Sequence, residues 1–183
     1  ISIILIILLF FNREIFLHVL AYMVINLIYN FYLKKIAVVD IISLGFGYVV
    51  RLDAGSHAIE VVSSNILIVT IFSLALYVLS IKRLKEFQFN SSGRSSLKFY
   101  SKNLLHAIII VSAISLSLFY FSYIVYKNSS LIISFPFIIY ILFRYYKLAI
   151  KGKRGEFPID LVIKDKILFF LSLLTLIIII FNF

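Results

Sequence analysis

The chain has 183 residues, of which 63% are hydrophobic and only 14% charged, with a mean hydropathy of +1.10 and a formal net charge of +10. That balance excludes an ordinary soluble domain and points to a polytopic membrane protein. Cysteine is absent, so disulfides, thiolate metal sites and cysteine nucleophiles are excluded as well.

In chain order, residues 1–11 are already apolar, and Ile1 is not preceded by a basic stretch or followed by a small-residue cleavage site. The segment therefore reads as the end of a membrane helix rather than a signal peptide, and the chain as an N-terminally truncated piece of a longer protein. A hydrocarbon core needs about 20 apolar residues in a helix. Further spans are expected at 15–33, 37–55, 62–81, 103–126, 129–149 and 165–182. The fold class is thus all-α, a transmembrane helix bundle forming a single integral-membrane domain over 1–183.

Threading these spans alternately puts Lys34, Lys35, Lys82, Arg83, Lys85, Arg94, Lys98, Lys102, Arg144, Lys147, Lys151, Lys153, Arg154, Lys164 and Lys166 on one side. Arg13, Arg51 and Lys127 lie on the other side or deep within a span. The positive-inside rule makes the crowded side cytoplasmic. The positive charge is thereby read as topology, and nucleic acid is not an expected partner.

Two features ask for more than topology. Read with Ile36, the span 37–55 is "IAVVDIISLGFGYVVRLDAG", and it carries Asp40 and Arg51. Eleven residues correspond to about 1100° of helical rotation, so the two charges fall on nearly one face. Charge at membrane depth costs about 2.5–3.5 kcal/mol on the mild insertion scale. Either the pair serves an internal ionic contact, with Arg51 turned to Asp53 or to another helix, or it lines a polar cavity. Gly45, Gly47 and Gly55 are expected to allow close helix approach.

The second feature is the polar density of the joins. "KRLKEFQFNSSGRSSLKFYSK" (82–102) opens with Lys82 and Arg83, and Glu86 follows within one helical turn. "RYYKLAIKGKRGEFPIDLVIKDK" (144–166) mixes seven basic residues with Glu156, Asp160 and Asp165. Such stretches suit either a rim facing lipid headgroups or a phosphorylated substrate, because guanidinium forks match phosphate oxygens. His18, His57 and His106 are isolated in sequence and are expected to be structural or surface residues. There is no Gly-rich phosphate loop, no zinc-protease or nucleophile-elbow motif and no internal repeat.

Five segments carry a family resemblance. "YNFYLKKIAVVD" (29–40) resembles the Tyr-Ser-x-x-Leu-Lys segment of UbiA-type membrane prenyltransferases, with Asn30 in place of Ser. "GYVVRLDAG" (47–55) resembles their Gly-Phe-x-x-Arg-x-x-Ala-Gly helix, with Tyr48 in place of Phe. "IKRLKEF" (81–87) aligns with a Lys-Arg-x-x-Glu-Leu element, with Phe87 in place of Leu. "RSSLKFYS" (94–101) resembles an Arg-x-x-Leu-x-x-Tyr-Ser/Thr element. "FRYYKL" (143–148), followed by "GEFPIDLVIKDKIL" (155–168), resembles a Phe-Arg-Tyr segment with an acidic, Pro-containing stretch. Taken in this order, the segments resemble the decaprenyl-phosphate phosphoribosyltransferase branch of the superfamily.

The resemblance implies a nine-helix bundle around a cytoplasm-facing cavity in a prokaryotic-type inner membrane, with helices three to nine present here. It implies transfer of a 5-phosphoribosyl group from phosphoribosyl diphosphate to a polyprenyl phosphate, a step toward cell-wall precursors. Mg²⁺ is the implied cofactor. Its Asp-rich motif would precede Ile1, so no metal ligand is assigned in this chain, and the chain alone is expected to be inactive. The second Asp-x-x-x-Asp motif of aromatic prenyltransferases is replaced by Lys82-Arg83-x-x-Glu86.

On this reading Lys34, Lys82, Arg83, Arg94, Lys98 and Arg144 contact phosphates, and Glu86 orients them or touches a sugar hydroxyl or metal water. Tyr100 donates to phosphate or sugar, and Asp40 and Arg51 organise the cavity. Expected partners are the two substrates and membrane lipids, with room for a homo-oligomer. The alternatives are a UbiA-type enzyme with an aromatic or other acceptor, and a transporter subunit. The transporter should show the inverted repeats or paired broken helices that this sequence lacks.

Overall fold

A computed structural model of the chain describes residues 13–89, 95–127, 129–151 and 158–182. Among these residues seven α-helices run in order: α1 (Arg13–Phe31), α2 (Val39–Ala58), α3 (Asn65–Phe89), α4 (Lys102–Lys127), α5 (Phe135–Lys151), α6 (Pro158–Lys164) and α7 (Lys166–Asn182). Short 3-10 turns at Leu33–Lys35, Ser95–Phe99 and Ser129–Ser134 complete the path. No strand occurs among the described residues. The expected span at 1–11 lies outside them.

Among the described residues three stretches are long and apolar enough to cross a membrane: Asn65–Gln88, Lys102–Lys127 and Ser129–Ile150, the last including the turn before α5. Hydroxyls within them are satisfied locally. Thr70, Ser73 and Ser80 in α3 donate to the carbonyls of Ile66, Val69 and Leu76, each four residues back, at 2.6–2.8 Å. That return bond is how a hydroxyl tolerates an apolar surrounding. Pro136 sits in the first turn of α5, where its missing N–H breaks no intrahelical bond.

Consecutive helices α1 to α4 pack side by side, α5 packs on α3 and α4, and α7 packs on α5, α6 and the turn at Ser129–Ser134. The main core joins Ile41 of α2, Tyr77, Ile81 and Leu84 of α3, Leu105 and Ile109 of α4, Leu142 and Tyr145 of α5, and Leu168 of α7. Tyr77 threads this core and donates to the carbonyl of Leu142 at 2.6 Å, tying α3 to α5. Much of the outside is also apolar, with Ile110, Val111, Ile114 and Leu118 exposed along α4 and Phe181 at the end of α7.

The glycines of α2 differ in what they permit. A Cβ on Gly45 would come within 2.8 Å of the Phe72 ring, so this glycine sets the close approach of α2 to α3. Gly47 meets Tyr22 of α1 at an ordinary 3.6 Å, and Gly55 meets nothing within 4 Å. The expectation of close packing therefore applies to Gly45, not to Gly55.

Helix α3 continues beyond its apolar stretch to Phe89. Lys82, Arg83 and Glu86 are consequently helical and emerge at the same end of the bundle as the start of α2 and the turn at Ser95–Phe99. This convergence builds the site.

Candidate functional site

Asp40 lies in the first turn of α2 and is fully buried. It receives the Nε–H of Arg83 at 2.8 Å on one carboxylate oxygen and the hydroxyl of Tyr100 on the other. Arg83 is itself 1% exposed. Its remaining nitrogens donate to Glu86 at 2.7 Å and to Tyr29 of α1 at 3.4 Å. A guanidinium can be withdrawn from water when its donors meet carboxylates and hydroxyls in this way.

Tyr100 closes the circuit. Its hydroxyl donates to Asp40 and accepts the backbone N–H of Val38 at 2.7 Å. Val38 precedes α2 with a left-handed φ of 68°. Burial, together with the bond to Asp40, pushes the Tyr100 hydroxyl above its ordinary acidity range, so it remains a donor at neutral pH. Four separate segments thus meet in one polar knot: α1 at Tyr29, the entry to α2 at Val38 and Asp40, the end of α3 at Arg83 and Glu86, and the third loop at Tyr100.

A basic rim surrounds the knot. Lys34 and Lys98 are exposed and lie on two 3-10 turns that touch each other. Lys82 is half-buried at the end of α3. Arg94 lies outside the described residues. Ser96 is fully buried beneath this rim, and its hydroxyl has no hydrogen-bond partner among the described residues.

The structure changes the expected connections of three arginines. Asp40 does not share a cavity wall with Arg51: it turns to Arg83, while Arg51 is exposed and donates to the Tyr22 hydroxyl at 2.8 Å. Arg51 also stacks over the rings of Tyr22 and Tyr48, at 4.7 and 4.8 Å. Helix rotation gave the angle between the two charges but not which neighbour each would meet. Arg83 faces inward with its donors engaged, and does not form part of the exposed rim. Arg144 binds Asp165 through two parallel 2.8 Å bonds and reaches Tyr140 at 3.2 Å. Asp165 also accepts the N–H of Leu168 at 2.7 Å, capping α7, so Arg144 holds α5 to the start of α7.

The histidines are less isolated than their sequence positions suggest. His18 of α1 meets Asp53 of α2 at 2.9 Å, and His57 lies one turn beyond Asp53. The Asp-x-x-x-His spacing of Asp53 and His57 was visible in the sequence, whereas the approach of His18 from 35 residues away was not.

The knot does not present a magnesium cage. A hard divalent ion requires several free oxygen ligands, and Asp40 and Glu86 are both committed to Arg83. Comparison with protein-family models and with curated proteins gave no match.

Proposed function

We propose that this chain belongs to a membrane-embedded transferase that moves a 5-phosphoribosyl group from phosphoribosyl diphosphate to a polyprenyl phosphate at a cytoplasm-facing site. The observation that carries this reading is the convergence of the family-like segments. Tyr29, Asp40, Arg83, Glu86 and Tyr100 come from three of the five, lie up to 71 positions apart, and meet in one buried network. A purely topological role for the charges would leave each in its own loop, with no reason to converge.

On this reading the chemistry is a single displacement. A lipid phosphate oxygen forms a bond to the anomeric carbon as the bond from that carbon to diphosphate breaks, and the electron pair leaves with diphosphate. Stabilising this charge needs fixed cations. Lys34, Lys82 and Lys98 are suited to it, being at or near the surface around the knot. Asp40, Arg83, Glu86 and Tyr100 tie together the end of α3 that carries Lys82 and the segments next to the turns that carry Lys34 and Lys98. Bound magnesium would neutralise the leaving diphosphate, and on the resemblance none of the knot residues is one of its ligands.

An apolar cavity of about 400 Å³ among α3, α4, α5 and α7 is lined by Leu67, Leu74, Leu116, Ile138, Leu142 and Leu176. Along α3, Leu74 is on the order of 14 Å from Arg83 at 1.5 Å per residue. That separation suits a long isoprenoid whose phosphate stays at the rim.

The deciding experiment supplies the protein, expressed from its complete reading frame, with ribose-labelled phosphoribosyl diphosphate and polyprenyl phosphate. Label should enter the organic phase in step with diphosphate release. Absence of labelled lipid, together with prenylation of an aromatic acceptor from polyprenyl diphosphate, would replace this reading with the other branch of the superfamily.

A further inference from the structure

At the opposite end of α2 from Asp40, the structure assigns a second site: we infer that His18, Asp53 and His57 form a binding site for a first-row divalent cation of the Zn²⁺ type. The assignment rests on the side chains alone and is independent of the phosphoribosyl reading.

One potential ligand atom from each residue lies within 4.8 Å of the others, the only such group among the described residues. The His18 Nε2 and Asp53 Oδ2 atoms are 2.9 Å apart, and the two imidazole rings are 4.6 Å apart between centroids. Tetrahedral ligands at zinc distances are separated by about 3.4 Å, so an ion would enter by opening the His18–Asp53 bond, with His18 Nε2 releasing the proton it holds against the carboxylate, and with the His57 ring turning its Nε2 toward the ion. Imidazole nitrogen with one carboxylate is a donor set that zinc accepts, and three protein ligands leave a fourth position open.

The surroundings orient these donors. His57 Nδ1 lies 2.8 Å from the Asp53 carbonyl, which can only accept, so this nitrogen carries the proton and the lone pair of the neutral ring lies on Nε2. Ser63, on the connection to α3, donates to the other Asp53 oxygen at 3.0 Å. Such outer contacts are what fix a ligand's tautomer and direction in metal sites. His18, Asp53 and His57 retain 22%, 32% and 37% side-chain exposure, so an ion and its water can enter. A bound ion would clamp α1 to the end of α2.

The absence of cysteine and the presence of only three histidines make the test specific. Protein without a histidine tag, dialysed against Zn²⁺ and then counted for metal, should retain one equivalent and melt at higher temperature. His18→Gln and His57→Gln should each weaken binding by at least about 100-fold, and Ser63→Ala by about tenfold. His106→Gln should leave it unchanged, because His106 is elsewhere, bonded to Tyr146. Co²⁺ added to the unsubstituted protein should give the intense visible bands of a low-symmetry nitrogen-ligated site, a readout that does not depend on any variant folding. Retention of less than one equivalent, equal loss in His106→Gln, or the weak spectrum of hydrated Co²⁺ would each overturn the assignment and leave the cluster as a hydrogen-bonded helix clasp.

Discussion

Arg83 has three side-chain partners and almost no exposed surface, which sets what its removal would do. The sequence places it among the phosphate contacts, where its loss would show first in donor use. Its burial reverses that order. Arg83→Ala strands Asp40 as an uncompensated buried carboxylate, and breaking such a pair costs about 3–5 kcal/mol. A lowered melting temperature or denaturant midpoint should reveal it before any kinetic change can be assigned. Combining Arg83→Met with Asp40→Asn should cost less than the two single changes summed, by about 1–3 kcal/mol, because neither charge then remains alone.

The exposed Lys34 and Lys98 should behave in the opposite way. Alanine at either should leave the melt unchanged and reduce kcat/KM for the phosphoribosyl donor roughly ten- to 150-fold, the effect of losing a charge-assisted contact. Tyr100 adds a pH signature. Its pKa is raised above the reference value of 10.0 by burial and by the bond to Asp40, so its stabilising contribution is complete below that value and declines as pH rises above it. The stability gap between the natural protein and Tyr100→Phe should be flat through neutral pH and narrow in alkali.

Among the elements, α2 contains the clearest contrast. Gly45→Ala forces a Cβ against Phe72 and should cost about 1–3 kcal/mol by overpacking. Gly55→Ala meets nothing and should be neutral or gain up to about 1 kcal/mol from helix propensity. Parallel melts of the two variants compare these directly. The sequence pattern placed both glycines on a packing helix but could not distinguish them, because the difference lies in where the Phe72 ring stands. The same limit explains Arg51 and Asp40. The period of α2 was legible, and so was the continuation of α3 through Glu86. The neighbour facing each side chain depends on how helices assemble, and no single segment encodes that.

For the whole molecule, hydropathy was the most informative part of the sequence. It located the described helix ends to within three residues except at two, α3 running eight residues past the expected 81 and α5 beginning six past 129, and it missed the short α6 in the last join, where Pro158 opens a helix too brief for a span. The knot was legible in four of its members but not in Tyr29 or Val38, nor in its wiring. Asp40, Arg83, Glu86 and Tyr100 were all singled out, yet the burial of Arg83 arises only when α2, α3 and the third loop close together. Topology is checkable at this scale. In this naturally cysteine-free chain, Lys98→Cys should be labelled only from the cytoplasmic side and Glu60→Cys, in the turn between α2 and α3, only from the other. The reverse pattern would invert the assigned orientation.

Val38 links these scales. A β-branched residue at a φ of 68° is strained, by about 1–3 kcal/mol for such conformations. Its N–H is held by Tyr100, whose hydroxyl is held by Asp40, which is held by Arg83. The entry to α2, which follows the turn bearing Lys34, is therefore a loaded latch, kept cocked by an internal chain of hydrogen bonds. Val38→Gly would unload it without cutting that chain, whereas Tyr100→Phe would cut the chain and let the loaded segment recoil. Amide hydrogen exchange at residues 33–38 should separate the two: protection persists in the first variant and collapses in the second.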